Sequence, residues 1–251
     1  MIIKRIVGVV WYVALPILII AVWKAADIAG LITSYTMPPP EDIVITAFEF
    51  YNDGTLFEHI KASFMRVIEG FGIALVLALF LGVVIGLNVR FEKFTDSVIQ
   101  IIKPIPPIAW IPLAILWFGI GEASKIYIIA IGAFFPILVN TVEGIKNIDS
   151  RYLELARVYE VRRGRVIWRV ILPGALPFIM VGVRIGLGMG WICVVAAELI
   201  AANSGIGYML MDGRSLSRPD IVILGMIVIG IVGKLMDDIL RSISKRIIKW
   251  N

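Results

Sequence analysis

The sequence predicts an all-α, polytopic membrane protein with six transmembrane helices and both termini cytoplasmic. Three observations predict it. Hydrophobic residues make up 59% of the 251-residue chain and charged residues only 17%, with a mean hydropathy of +0.92. A soluble domain carries about 25% charge, so this much apolar surface exceeds what one core can bury, and lipid is the expected solvent. Six apolar runs are each of about the length that crosses the hydrocarbon layer, roughly 20 residues. The basic residues also fall on alternate connections, as the positive-inside rule requires.

The first run covers residues 6–23, after Lys4 and Arg5. Those flanks would also suit a signal peptide. The run is long for one, however, and Trp23-Lys24 makes a poor cleavage site, so a retained helix is expected. Residues 26–61 are mixed, proline-bearing and rather acidic, and belong outside, with one short amphipathic helix at 43–51. The second span is 67–89, and "RFEKFTD" follows as a short inner turn. The third span, 98–120, is crowded with prolines at its start, and "GEASK" turns the chain outside. The fourth span is 126–145 and a long basic connection comes next. The fifth, 177–201, leads into "NSGIGYMLMDGRSLSRPD", read as an outer turn with a short surface helix. The sixth is 221–236. Alternation places Lys4, Arg5, Arg90, Lys93, Lys146, the arginines of 151–169, Arg241, Lys245, Arg246 and Lys249 on one side. Only Lys24, Lys61, Lys125, Arg214 and Arg218 fall on the other. The tail places Met236, Ile239, Leu240, Ile243, Ile247 and Trp250 on one helical face, as for a helix lying along the interface. The chain reads as a single membrane domain over 1–251, without linker or internal repeat.

Composition also excludes functions. The net charge of +5 and pI near 9.4 would raise nucleic acid as a partner for a soluble protein, but here topology accounts for them. One cysteine, Cys193, and one histidine, His59, form no metal cluster, and an intrachain disulfide is impossible. No activated serine constellation or intramembrane carboxylate pair supports an enzyme. No G-x-x-x-x-G-K-[ST] loop is present, since Gly233-Lys234 is followed by leucine. The chain therefore has no phosphate loop with which to bind ATP.

The connection 146–176 is longer than two helices need. "DSRYLELARVYEV" opens with Asp149 or Ser150 as a helix cap, and Tyr152, Leu155, Ala156 and Tyr159 recur at helical spacing. "RRGRVIWRVILP" reads as a second short helix, with Gly164 near its start and Pro173 as its stop. A basic loop on lipid headgroups would explain the arginines. An ordered helix pair with an apolar face and a carboxylate, Glu154, better suits docking a protein.

"ELARVYEVRRGRVIWRVILP" resembles the cytoplasmic EAA loop of ABC importer permeases. Glu154 and Ala156 match the first and third motif positions and Leu155 stands at the second. Val170, Leu172 and Pro173 match the end. The family's bend-forming glycine falls on Glu160, so the bend is expected to be less sharp or to move to Gly164. The stretches "SFMRVIEGFGIAL", "KPIPPIAWIPLAILWFGIGEASKI", "GAFFPILVNT" and "AAELIAANSGIGYML" are similar to nitrate/sulfonate/taurine-type permeases, and the resemblance covers about 56–247. It implies a type I importer permease fold, two permease copies per transporter, two cytoplasmic ATPase subunits that bind ATP and Mg, and an external solute-binding protein. It also implies residence in the cell membrane and a small oxyanion or sulfonate as cargo, with no cofactor in this chain.

The fifth span carries the candidate pathway. Gly182, Gly186 and Gly190 stand four apart, and small residues let helices approach closely. Arg184, Trp191 and Glu198 stand seven apart on another face. A charge at the depth of Arg184 faces a cavity or a partner: it either lines the pathway and attracts an anion, or forms an ion pair for which Glu69 is the candidate. Pro104, Pro106, Pro107 and Pro112 each remove an N–H. The first three suit a bent helix entry and Pro112, lying deeper, suits the pathway. The competing reading is an ATP-independent ion channel or secondary transporter, which would ordinarily carry more intramembrane carboxylates.

Overall fold

A computed structural model describes residues 2–33 and 35–248, and side chains from residue 14 onward except that of residue 201. Lys4, Arg5, Lys249 and Trp250, used above in the charge and face arguments, lie outside the described side chains. Every regular element among the described residues is helical. Helix α1 spans Ile2–Ile28 and contains the first predicted run; α2, Pro40–Asn52, is the amphipathic helix expected at 43–51. Four elements or joined elements are long and apolar enough to cross a membrane: α3 (Thr55–Leu87), α6 (Glu122–Lys146), the continuous stretch Arg163–Ile200 and α11 (Pro219–Ile247). A bent pair makes a fifth.

Between α3 and α6 the structure corrects two expectations. "RFEKFTD" is not a turn. Asn88 Oδ1 accepts from the N–H groups of Arg90 and Phe91 and caps a new helix, α4 (Val89–Ile102), so the reversal shrinks to one residue. The third span is not one helix either. α4 ends at Ile102, two residues before Pro104, a short 3₁₀ turn covers Pro107–Trp110, α5 follows at Ile111–Phe118, and the two halves are bent by 87°. Pro104, Pro106 and Pro107 have no N–H to continue a helical ladder, and a residue before proline is disfavoured in the α region. The chain therefore breaks where these constraints overlap. α4 packs Phe91 and Ile99 inward and leaves Phe94, Val98 and Ile101 exposed.

The centre of the molecule is the packing of α6 against α3 and α9 (Leu172–Ala201). The predicted glycine ladder is what permits it. A Cβ at Gly182 would lie 2.6 Å from Asn140 Cβ, and one at Gly186 would lie 2.9 Å from the Ala133 carbonyl oxygen. One half of the core contains Ala78, Ile137, Leu138 and Val183, and the other half Val67, Ile129, Val194 and Met209. Helix α10 (Ile206–Ser215) is not the surface helix expected. Ile206 and Met209 are fully buried, because α10 is wedged against α9, α11 and α3.

Candidate functional site

Asp149 caps helix α7 (Ser150–Val158): its carboxylate accepts from the Arg151 N–H at 2.9 Å and from the Arg151 guanidinium at 3.0–3.1 Å. The guanidinium, and after it the backbone N–H, hold the Asp149 carboxyl below the ordinary aspartate value. Helix α7 closes with the N–H of Glu160 on the Arg157 carbonyl and that of Val161 on the Ala156 carbonyl, both 3.0 Å. This paired closure is a Schellman motif, which requires a left-handed residue at the position of Glu160. Glu160 has φ +48°. The bend thus stays at Glu160 and does not move to Gly164, which lies inside the next helix, α8 (Arg163–Val166).

Pro173 does not stop the second loop helix. α8 passes through a π-helical turn, Ile167–Ile171, directly into α9, and Pro173 occupies the first turn of α9. A proline ring clashes with the carbonyl four residues back, here that of Arg169, and a π turn at this point widens the ladder. The second loop helix and the fifth span are consequently one rod of 38 residues, Arg163–Ile200. Around this rod the loop exposes Glu154, Leu155, Tyr152, Val158, Tyr159 and Trp168, while Ala156 is half-buried. Val158 is 77% and Trp168 74% exposed. A cleft of about 600 Å³ lies beneath, walled by Leu87, Leu153, Ala156, Glu160, Arg163 and Ile171. At the same end Lys146 pairs with Glu92, tying α6 to α4.

Of the pathway candidates, Arg184 pairs with Asp237 of α11, not with Glu69. Its Nη2 donates to Oδ2 at 2.6 Å, and its Nε donates to Oδ1. Both side chains keep nearly half their surface open. Asp237 lies 53 residues further along the chain, beyond the reach of an argument from helical spacing. Trp191 is buried and donates from Nε1 to the Ile229 carbonyl at 3.1 Å, fixing α9 to α11. Pro112 takes the start of α5, where a missing N–H breaks nothing.

Glu198 is fully buried and centres a network that sequence reasoning missed. Its carboxylate accepts from Ser63 Oγ at 2.8 Å, Arg66 Nη1 at 2.7 Å and the Gly207 N–H at 2.9 Å, while Ser63 Oγ accepts the Ile206 N–H at 2.8 Å. Carboxylate and hydroxyl together satisfy the open N-terminus of α10 from two other helices. Arg66 also donates to Glu122 through Nε and Nη2, at 2.5 and 2.8 Å, and to the Ser204 carbonyl at 2.7 Å; Glu122 in turn holds Lys125 at 2.9 Å. Gly205, at φ +116°, makes room for this arrangement, since a Cβ there would lie 2.3 Å from Glu198 Cδ. Arg66 inside an apolar run was the available signal. Among the described residues no group of three or more His, Cys, Asp or Glu side chains could hold a metal.

Comparison with known proteins agrees with this architecture. The chain is 41% identical over 236 residues to the putative aliphatic sulfonates transport permease protein SsuC of Bacillus subtilis (strain 168), covering 94% of this chain and 86% of that one. It is 35% identical over 238 residues to the taurine transport system permease protein TauC of Escherichia coli (strain K12), covering 93% and 86%. Its fold is shared with a chain of the inward-facing MetNI methionine ABC transporter, with TM-score 0.69 at 17% identity over 77% of this chain and 96% of that one. Residues 70–249 match the binding-protein-dependent transport system inner membrane component family, and the chain belongs to that family of multi-pass ABC transporter permeases.

Proposed function

We propose that this chain is the six-span permease subunit of an ATP-driven importer, working as a pair of copies with both termini cytoplasmic. The spans are α1, α3, the bent α4–α5 pair, α6, α9 and α11. Two ATPase subunits, which bind ATP and Mg, dock on the loop formed by α7 and α8, and an external binding protein delivers the solute. The cargo is a small oxyanion or sulfonate, the class named for the relatives that transport aliphatic sulfonates and taurine.

The observation that carries this reading is the continuous rod Arg163–Ile200 with an exposed apolar and basic knob at its inner end. Tyr152, Leu155, Val158 and Trp168 would be costly to leave in water, and exposed patches of this kind mark partner sites. A push on that knob is delivered along an unbroken helix to Arg184 and Trp191. Alternating access then follows if ATP binding and solute release favour different states of the helix packing. Purification of the tagged chain from its own cells tests the reading. A P-loop ATPase should co-purify, and Glu154→Arg together with Leu155→Asp should remove it while the permease still accumulates. Robust ATP-independent flux through the pure chain would overturn it in favour of a channel.

A further inference from the structure

One groove lies apart from the clusters around Glu198 and Arg184, and shares Lys103 and Val139 with an adjoining cleft lined by Glu92, Asp96, Glu143 and Lys146. It lies between the broken segment, α6 and α9, encloses about 290 Å³, and is walled by Lys103, Phe135, Val139, Asn140, Ile185 and Met189. Its position is unusual for backbone reasons. Lys103 stands at the joint where α4 and α5 bend by 87°, and irregular backbone at membrane depth persists where it is buried in protein or lines a water-filled cavity.

Among the described residues several cations have no carboxylate within ion-pair distance, and of these Lys103 walls this groove. Arg66, Lys125, Arg184 and Lys234 each face a carboxylate, namely Glu198 and Glu122, Glu122, Asp237 and Asp238. Lys103 makes no ion pair and no side-chain hydrogen bond among the described residues. Arg184, by contrast, is neutralised by Asp237 and offers no net charge to an anion. Further along the groove the Asn140 amide donates once, to the Pro136 carbonyl at 2.8 Å, and keeps its other hydrogen-bonding capacity. Pro136 has no N–H to give the carbonyl of Gly132, which also lines the groove. The remaining wall is apolar. A cation at one end, an amide and a carbonyl along the side, and an aliphatic floor suit a small organic anion with a short tail. From Val139 to Gly132 the groove also runs roughly 10 Å along α6 at about 1.5 Å per residue.

We propose that this groove is a section of the solute path and that Lys103 is its anion-selecting residue; this assignment rests on the permease reading above. The test is a reporter thiol, Val139→Cys, in a Cys193→Ala background, with the purified chain in phosphatidylcholine vesicles. The rates of modification by anionic and cationic methanethiosulfonate reagents are compared. One uncompensated charge several ångströms from the thiol should favour the anionic reagent, and Lys103→Gln should lower the anionic-to-cationic rate ratio by about tenfold, with Lys103→Arg retaining it. An unchanged ratio in Lys103→Gln overturns the proposal. So does a preference that vanishes when phosphatidylglycerol is added, which would assign Lys103 to lipid headgroups. A transporter that keeps the Lys103-dependent preference yet recruits no ATPase would instead overturn the importer reading and leave the groove's selectivity standing.

Discussion

Glu160 occupies a conformation that glycine would adopt without penalty. A left-handed L-residue costs about 1–2 kcal/mol, partly offset because glycine gains more freedom on unfolding. Glu160→Gly is therefore expected to stabilise the loop by up to about 1 kcal/mol and Glu160→Val to weaken it, read as opposite shifts in thermal unfolding of the detergent-solubilised chain. Gly205 has no such latitude, because any Cβ meets the Glu198 carboxylate. Gly205→Ala should sharply reduce the yield of folded chain, whereas Gly164→Ala, with nothing within 4 Å of its Cβ, should not. The Asp149 cap has a lowered carboxyl pKa, so its contribution is present above the unfolded value and is lost as pH falls through the folded one. Protease nicking of α7 should accordingly increase only in acid below the usual aspartate range, and Asp149→Ala should remove that dependence.

Whole elements are held by charges as much as by apolar packing. The N-terminus of α10 depends on Glu198 and Ser63, which belong to α9 and α3. Removing one member of a buried ion pair costs about 3–5 kcal/mol because the other charge is left unpaired. Glu198→Ala should therefore free α10, seen as faster amide exchange across Ile206–Ser215 with α6 unchanged. The Arg184–Asp237 pair joins α9 to α11. Arg184→Gln and Asp237→Asn should each depress uptake by leaving an orphan charge, and the double variant should recover part of the loss. Loss that is simply additive would show that the two side chains act separately.

At the scale of the molecule, an apolar run was legible as a candidate span wherever it forms one uninterrupted helix. α6 and α11 each enclose the run expected, α3 covers all of its run but the last two residues, where Asn88 ends the helix, and the glycine ladder of the fifth run meets α6. Legibility failed at the third span, where hydropathy continued across Pro104–Pro107 while the backbone turned by 87°. Composition registers apolar length and is blind to direction, so a bent pair and a straight helix look alike. It failed again at Pro173, where a rule about helix ends was defeated by a π turn that absorbs the proline. The basic loop was readable because its caps and spacing are local. The network around Glu198 and the Arg184–Asp237 pair were not, since their members come from separate helices, as far as 143 residues apart.

The sequence by itself determined that this chain lives in lipid, which connections carry the positive charge, that a helical basic loop follows the fourth run, and which family the chain resembles. These are properties of composition and short spacing. Only the tertiary structure decided where the third span breaks, that the second loop helix and the fifth span form one rod, which carboxylate neutralises each cation among Arg66, Lys125 and Arg184, and that Lys103 is left without one. Those outcomes depend on which helices come within hydrogen-bond distance, and a charge's partner is fixed by that proximity rather than by its neighbours along the chain.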